Sequence, residues 1–332
     1  MKRFGLKRIG AAGGAVLMAT LALTACSSSG GKAGGNGKIT MGFAQVGAES
    51  GWRTANTKSI QQSAKDAGIT LKFSDAQGKQ ENQIKAIRSY IQQKVDVIAF
   101  SPVVETGWDA VLQEAKRAKI PVILTDRAVK VSDPSLYETF LGSDFVKEGR
   151  LVGEWLVQNA STSDVNGDGN INVVQIEGTT GSAPAIDRKT GFENAIKAEP
   201  KIKVIASQTG DFTRDGGKQV METFLKTQKN IDVLFAHNDD EGLGALEAIK
   251  AAGKTPGKDI KIMTIDAVHD GLTALSKGEF NFVAECSPLL GPQLMDLAKQ
   301  VVNGKKVPKR VVTKETTFTQ ESATKALPTR KY

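Results

Sequence analysis

The sequence has 332 residues, 40% of them hydrophobic, with 44 Lys and Arg against 36 Asp and Glu. This apolar fraction and the mixed charge exclude an intrinsically disordered chain. The length exceeds what one hydrophobic core usually supports, which predicts two domains. The formal net charge of +8 indicates a nucleic-acid partner only if the positive charges lie in the folded part of the chain.

The positive charge is concentrated at the beginning of the sequence. Four basic residues among the first eight precede an apolar stretch at residues 9–23, which is rich in Ala and Gly and shorter than a membrane span. This layout predicts a secretory signal peptide over residues 1–25. Removal of its four charges lowers the net charge from +8 to about +4. The remaining charge is too small to support nucleic-acid binding.

A lipid-attachment motif follows the apolar stretch. The residues Leu-Thr-Ala-Cys at 23–26 resemble the lipobox of bacterial lipoproteins, which implies a diacylglyceryl group on Cys26 and an exported protein anchored to the cell membrane, facing outside or the periplasm. An ordinary signal peptide with an incidental cysteine is the alternative. Residues 26–37 are rich in Gly and Ser and predict a flexible tether. Cys286 is then alone in the folded part, so a buried apolar role and no internal disulfide are expected.

From residue 38 onward, short apolar runs rich in β-branched residues alternate with longer helical patterns. Strands are predicted at residues 39–46, 69–74, 97–100 and 122–125, and in a second series at 171–176, 204–207, 233–236 and 260–265. Helices are predicted at residues 53–67, 79–93, 107–119, 185–197, 214–227 and 240–251. This alternation is typical of βαβ units and predicts two α/β units in tandem, each with a parallel sheet.

A polar residue closes most of the predicted strands. In an open parallel sheet, ligands bind outside the carboxyl ends of the strands, so side chains at these positions are expected to converge if the two units face each other across a cleft. Polar residues also end strands simply because they cap the following helices, which is the structural alternative. The strand-end residues are Gln45, Ser101, Asp126, Glu177, Gln208, Asn238 and Asp266.

Residue types suited to sugar recognition lie beside several strand ends. Trp52 offers a flat apolar face to the C–H side of a sugar ring, and Arg53 offers donors in a fixed geometry. Asp126 with Arg127, and Arg188 in the second unit, add acceptors and donors. Because every hydroxyl of a polyol both donates and accepts a hydrogen bond, carboxylates beside guanidinium groups suit a polyol. Taken singly, an Asp-Arg pair is more often a surface ion pair.

Longer motifs in the chain resemble one protein family. They are Phe-Ala-Gln-Val at 43–46, Glu-Ser-Gly-Trp-Arg at 49–53, Lys-Gln-Glu-Asn-Gln-Ile-Lys-Ala at 79–86, Ser-Pro-Val-Val at 101–104, Ala-Ile-Asp-Arg-Lys at 185–189, Gly-Asp-Phe-Thr-Arg at 210–214 and Ala-His-Asn-Asp-Asp at 236–240. From about residue 39 to residue 292, the chain is similar to the type I periplasmic sugar-binding proteins of ABC importers. The resemblance implies an α/β fold with two Rossmann-like lobes joined by a three-segment hinge.

The same resemblance implies where the lobes begin and end. The N-terminal lobe is expected to comprise residues 39–142 and about 287–315. The C-terminal lobe is expected at residues 143–286, and residues 316–332 form a tail.

The resemblance also assigns a sugar-binding set. Two positions depart from the family pattern: Thr54 stands where a close member has Ala, and Ala267 stands where the family usually has Gly. These departures leave the identity of the sugar open between furanose, pyranose and pentose. The residues implied as sugar contacts are Ser50, Gly51, Trp52, Arg53, Asp126, Arg127, Arg188, Asn238 and Asp266.

A second motif, at residues 164–172, matches the first half of an EF-hand loop, with side-chain oxygens at positions 1, 3 and 5 and Gly at position 6. Position 12 is Gln175, which lacks the bidentate carboxylate of an EF-hand. The loop resembles the calcium loop of periplasmic glucose/galactose-binding proteins, which implies a structural Ca²⁺ site. An Asx-rich turn is the alternative. The implied ligands are Asp164, Asn166, Asp168, Asn170, Asn172 and Asp232.

The function implied by the resemblance is capture of a monosaccharide, galactofuranose or a related pentose or hexose, and its delivery to a membrane permease with an ATPase. The protein is expected to be a monomer and no enzyme, with no nucleic-acid partner and no cofactor apart from the structural Ca²⁺. Alternatives are a sugar sensor and a glycoside hydrolase with Asp126 and Asp266 as its two carboxylates. Neighbouring arginines are expected to keep both acids ionised, which argues against the hydrolase. A sugar-responsive repressor would need a helix-turn-helix where the signal peptide lies.

Overall fold

The computed structural model describes residues 38–332, and within this range strands and helices alternate along the chain. The strands are β1 (Thr40–Gln45), β2 (Thr70–Asp75), β3 (Val97–Phe100), β4 (Val122–Thr125), β5 (Thr139–Gly142), β6 (Ile171–Glu177), β7 (Ile202–Thr209), β8 (Val233–Ala236), β9 (Lys261–Asp266), β10 (Phe282–Glu285), β11 (Arg310–Val312) and β12 (Thr317–Phe318). The helices are α1 (Gly51–Asp66), α2 (Gln80–Gln92), α3 (Asp109–Arg117), α4 (Phe145–Gln158), α5 (Ala183–Ile196), α6 (Arg214–Thr227), α7 (Asp239–Ala251), α8 (His269–Ser276), α9 (Gly291–Val302) and α10 (Gln320–Ala326).

Six parallel strands form the first sheet, in the order β2-β1-β3-β4-β5-β11. Helices cover both of its faces, so the central strands β3 and β4 are buried along their whole length. On one face Phe43 packs in a cluster with Ile60 of α1 and Leu294 of α9. On the other, Phe100 packs with Leu112 of α3.

The second sheet repeats this plan, in the order β7-β6-β8-β9-β10-β12. Its strands are parallel except for β12, which pairs antiparallel with β10. Phe235 of β8 packs on Phe192 of α5 with ring centroids 4.5 Å apart. On the opposite face Leu234 belongs to a cluster with Met221 of α6.

The strand order places a crevice at the same point in both sheets. In each, the first strand lies between the second and the third, so the connections that leave β1 and β3, and likewise β6 and β8, diverge to opposite sides. Such a switch point, at the carboxyl ends of the strands, is where open α/β sheets bind ligands.

The chain crosses between the two sheets three times: after β5, after β10 and after β11. Hydrogen bonds join the three crossings side by side. The Ser143 hydroxyl lies 3.3 Å from Sγ of Cys286 and 3.2 Å from the Thr313 hydroxyl. The two sheets are therefore connected through one narrow strip, which suits hinge motion.

The fold class predicted from the sequence, two Rossmann-like α/β units, is confirmed by this topology, and all eight predicted strands are present with end shifts of at most two residues. Reading the sequence missed β5, β10, β11 and β12. Strands β11 and β12, with three and two residues, are too short for a periodic pattern. Helices α4, α8, α9 and α10 were also missed. No helix within residues 38–332 is long and apolar enough to cross a membrane. The predicted signal peptide, the tether and Cys26 lie outside the described residues.

Candidate functional site

A cavity lies where the carboxyl ends of the two sheets face each other. Residues from both sheets and from one crossing line it: Glu49, Ser50, Trp52, Arg53, Asp126, Arg127, Phe145, Pro184, Arg188, Phe212, Asn238, Asp266 and Cys286.

Arg53 is the centre of a buried charge network on the side of the first sheet. Ser50 caps α1 by accepting a hydrogen bond from the Arg53 amide at 3.1 Å, which fixes the first turn that carries the guanidinium. Nη1 lies 2.7 Å from Oδ2 of Asp126, and Nε donates to Oε1 of Glu49 at 3.0 Å. Burial alone would lower the pKa of Arg53, but the two carboxylates outweigh it and raise the pKa. Arg53 therefore stays charged in a site closed to water.

Arg127 lies beside this network and is less completely paired. Nη2 is 3.5 Å from Oε1 of Glu49, and Nη1 donates to the Val103 carbonyl at 3.4 Å. Nε makes no hydrogen bond within the described residues. Burial and the nearby Arg53 lower the pKa of Arg127 to about 10. The side chain thus has donor capacity left for a polar ligand.

Trp52 lines the cavity while its ring nitrogen is bound to a crossing. The indole Nε1 donates to the Cys286 carbonyl at 2.6 Å, and the side chain is buried. This hydrogen bond satisfies the polar end of the ring and fixes its plane, which leaves an apolar surface for the ligand.

Arg188 of α5 is the counterpart on the side of the second sheet. Its Nε donates to Oε2 of Glu148 at 2.8 Å, Nη1 donates to the His237 carbonyl at 2.7 Å, and Nη2 is 3.5 Å from Oδ1 of Asp266. Gly149 allows this geometry: a Cβ there would lie 2.0 Å from the Arg188 carbonyl oxygen, so only glycine lets α4 bring Glu148 so close to α5. Burial opposes the charge of Arg188, but Glu148 prevails and raises its pKa.

Asn238 and Asp266 complete the polar lining from the ends of β8 and β9. Asn238 caps α7 by accepting from the Glu241 amide at 2.8 Å, and its Nδ2 donates to the Phe212 carbonyl at 3.1 Å. Burial raises the pKa of Asp266 well above its usual value, against the opposing effect of Arg188. Burial therefore acts against the expectation that a neighbouring arginine holds Asp266 ionised.

Two aromatic residues missed in the sequence form the apolar part of the lining. Phe212 lies under two guanidinium groups, with Arg127 at 5.2 Å and Arg188 at 5.9 Å from its ring centroid. Phe145 lies 5.1 Å from the Arg188 guanidinium. The available signal was a Phe placed between Asp and Thr in an otherwise polar connection after β7. Glu49, which links Arg53 to Arg127, was also missed.

The structure brings eight of the nine proposed sugar contacts to the cavity lining, with Gly51 as the exception. The Gly51 amide donates to Oδ2 of Asp240 at 2.7 Å, which joins α1 of the first sheet to α7 of the second. Gln45 and Ser101 lie one layer behind the lining, where both accept from Nη1 of Arg53.

Glu177 and Gln208, by contrast, do not converge on the cavity. Glu177 binds Lys189 at 2.6 Å, and Gln208 is exposed on β7, the strand at the edge of its sheet. Gln208 belongs to the edge strand β7, whereas Glu177 ends β6, which lies between β7 and β8. Position in the sheet alone therefore does not decide which polar strand ends reach the cavity.

The predicted calcium loop is brought together with Asp232, but its carboxylates face amides of the same loop. Asp232 accepts from Nδ2 of Asn166 at 3.0 Å and from the Asn172 amide at 2.8 Å. Asp164 accepts from the amides of residues 167, 168 and 169. Within residues 38–332, the one group of three His, Cys, Asp or Glu ligand atoms lying within 4.8 Å of one another is elsewhere, at Glu148 and two neighbours. In this arrangement the carboxylates of Asp164 and Asp232 accept hydrogen bonds from amides, and the Ca²⁺ site stays a prediction.

Comparison with known proteins gives matches along nearly the whole described chain. A sequence model described as the periplasmic binding protein domain matches residues 41–306. The galactofuranose-binding protein YtfQ of Escherichia coli (strain K12) is 49% identical over 297 residues, which cover 88% of this chain and 92% of that protein.

Two solved structures are similar in both sequence and fold. A crystal structure from Mycobacterium smegmatis in complex with β-D-fucofuranose has 64% sequence identity and a TM-score of 0.86, covering 89% of this chain and 95% of that chain. The periplasmic binding protein component of the arabinose ABC transporter from Shewanella sp. ANA-3 is bound to α- and β-L-arabinofuranose. It has 48% sequence identity and a TM-score of 0.84, covering 88% of this chain and 96% of that chain.

Proposed function

This chain belongs to the periplasmic binding protein family, and from that premise we propose that it captures a monosaccharide in its furanose form and delivers it to an ABC permease. One observation carries the proposal: three buried arginines, each paired with a carboxylate, line a single cavity between the two sheets together with Trp52 and Phe212.

The polar groups of the cavity suit a ligand made of hydroxyls. Each hydroxyl needs both a donor and an acceptor, which an arginine and a neighbouring carboxylate supply. Nε of Arg127 and Oε2 of Glu49 have no hydrogen-bond partner within the described residues. Because an unpaired buried polar atom is costly, groups like these favour a polar ligand over an apolar one.

The preference for a furanose rests on the relatives. The proteins that match most of this chain are described as binding galactofuranose, β-D-fucofuranose and arabinofuranose. The proposed contacts are Ser50, Trp52, Arg53, Asp126, Arg127, Arg188, Asn238 and Asp266, with Gly51 reassigned to the contact between the two sheets.

Delivery requires a permease with its ATPase and a location outside the cytoplasmic membrane, and the family implies export to the periplasm. The residues Leu-Thr-Ala-Cys at 23–26 support lipid anchoring through Cys26 as part of the proposal. The monomeric state and the absence of a nucleic-acid partner also belong to it. The homologues are sugar-binding transport proteins rather than enzymes.

Calorimetric titration with two ring-locked isomers tests the proposal. The compound 1,4-anhydro-D-galactitol has a five-membered ring, and 1,5-anhydro-D-galactitol has a six-membered ring and the same atoms. We expect the five-membered isomer to bind and the six-membered isomer to bind far more weakly, with L-arabinose, D-fucose and D-galactose bound as well. Preference for the six-membered ring would contradict the furanose assignment. Binding of no sugar, or turnover of an aryl furanoside, would contradict the transport function.

The variant Trp52→Ala tests whether this cavity is the site. Loss of the ring contact should weaken sugar binding by about 1–3 kcal/mol, which is roughly 5- to 150-fold in Kd. Trp155→Ala is a matched control, since Trp155 packs on Phe282 away from the cavity. Equal affinities of the wild type and Trp52→Ala would place the site elsewhere.

A further inference from the structure

The turn that carries Asp266 has an unfavourable backbone conformation. Asp266 has φ of 125° and Ala267 has φ of 65°, so two consecutive residues with side chains occupy the region that favours glycine. Such residues are strained and persist only where surrounding contacts hold them. Because Asp266 lines the cavity, whatever holds this turn also sets where the carboxylate points.

Contacts from a distant part of the sequence, residues 330–332, hold the turn. Nε of Arg330 donates to the Ala267 carbonyl at 2.6 Å. The backbone oxygen of Tyr332 accepts from the His269 amide at 2.7 Å. The strained turn is thus held on both sides of residue 268. The Arg330 guanidinium binds the carbonyl of residue 267, and the Tyr332 backbone oxygen binds the amide of residue 269.

Arg330 is itself fixed by a strand next to β9. Nη1 of Arg330 lies 2.7 Å from Oε1 of Glu285, and the Tyr332 hydroxyl donates to the same oxygen at 3.0 Å. Glu285 ends β10 and is the register partner of Asp266. The Arg330 side chain is 10% exposed and that of Glu285 is 14% exposed. A guanidinium this buried, bound to a carboxylate, is rigid enough to hold the neighbouring carbonyl.

We propose that Arg330 and Tyr332 are positioning residues for sugar binding, which act by holding the Asp266–Ala267 turn. Neither side chain lines the cavity, so their effect on the sugar passes through the backbone of residues 266–269. The inference rests on the proposed sugar-binding function. It adds two residues that lie outside the cavity lining to those that determine the affinity for sugar.

The first experiment compares Arg330→Met with Lys331→Met by sugar titration and thermal unfolding. Lys331 is the adjacent exposed residue and makes no ion pair with Glu285, so its variant controls for loss of one positive charge. We expect Arg330→Met to raise the Kd about five-fold or more, equivalent to about 1 kcal/mol, and Lys331→Met to leave it unchanged. If Arg330→Met fails to fold, Arg330→Lys keeps the ion pair, loses the planar fork and should give a smaller rise.

A double-mutant cycle with Ala267→Gly separates positioning from general stability. Glycine adopts positive φ without strain, so the turn in Ala267→Gly needs less support. We expect the effect of Arg330→Met on Kd to fall below about two-fold in that background, whereas a general loss of stability would be additive. If Arg330→Met leaves the Kd unchanged, or raises it by the same factor in both backgrounds, the inference is wrong. The proposed function still holds in that case as long as the wild type binds sugar. A wild type that bound no sugar would overturn both.

Discussion

Glu241 is a buried carboxyl that supports the site from behind its lining. It is fully buried in the first turn of α7, and its Oε1 accepts from the Phe212 amide at 2.8 Å. Oε2 has no hydrogen-bond partner within the described residues. Burial raises the pKa of Glu241 to about 8. The Glu241 carboxyl therefore binds a proton more tightly in the folded than in the unfolded state.

The raised pKa of Glu241 predicts how stability varies with pH. A carboxyl with a raised pKa stabilises the fold fully below its unfolded pKa near 4.5 and loses this contribution as the pH rises to about 8. The free energy of unfolding should therefore decrease across this window, by at most about 1.4 kcal/mol per pH unit for one group. Glu241→Gln should reduce the slope in denaturant titrations, and the exposed Glu247→Gln should not. An equal slope in Glu241→Gln and the wild type would contradict the assignment.

The loop at residues 164–172 is rich in side-chain oxygens and is held by its own hydrogen bonds. Its oxygen-rich sequence predicts a Ca²⁺ site, yet its hydrogen bonds already satisfy the carboxylates. Lys203 also donates to Oδ1 of Asn170 at 3.1 Å. A bound calcium ion would have to replace these amide contacts with metal–oxygen contacts, because Ca²⁺ takes six to eight oxygens at about 2.3–2.6 Å.

Thermal unfolding in Ca²⁺ and in chelator tests the loop. If the predicted site binds the ion, Ca²⁺ should raise the midpoint of unfolding, since a ligand of the folded state stabilises it by mass action. Asp232→Asn should abolish that difference, whereas the exposed Asp215→Asn should retain it. Equal midpoints of the wild type in Ca²⁺ and in chelator would contradict the predicted site.

The two sheets of the whole molecule meet through contacts that do not involve the cavity. The Gly51 amide donates to Asp240 at 2.7 Å, and the Glu105 amide donates to the Gly181 carbonyl at 3.0 Å. Asp240 also lies 3.3 Å from Nη2 of Arg214 and faces the N-terminus of α1, where negative charge is favourable. These contacts stabilise the closed arrangement independently of any sugar contact.

Asp240→Asn should shift the molecule toward an open form. We expect a larger radius of gyration by small-angle X-ray scattering without sugar and a Kd raised about five-fold, which corresponds to about 1 kcal/mol for a charge at a helix N-terminus. Asp270→Asn is the matched control, because exposed Asp270 binds the same Arg214 but makes no hydrogen bond to Gly51. If Asp240→Asn has the same radius of gyration and the same Kd as the wild type, this contact does not govern closure.

Much of the candidate site could be predicted because its residues follow local signals. Trp52 and Arg53 lie in the first turn of α1, after the capping serine, and Asp126 follows a buried strand. Phe145 and Phe212 could not be predicted, because an aromatic residue in a core and one facing a cavity look alike in sequence. Gly51 lies outside the cavity lining, and only the tertiary structure shows that Asp240 accepts from its amide.

The sequence by itself determined the two α/β units, and the family that its motifs predicted is confirmed by the match over residues 41–306. The hydrophobic periodicity of strands and helices is a local property of the sequence, so it can be recognised without knowledge of the fold. Only the tertiary structure decided which polar strand ends meet, because Asp266 belongs to a central strand and Gln208 to an edge strand. It also decided the contact of residue 330 with the turn at Asp266, since long-range contacts have no signal in a single sequence.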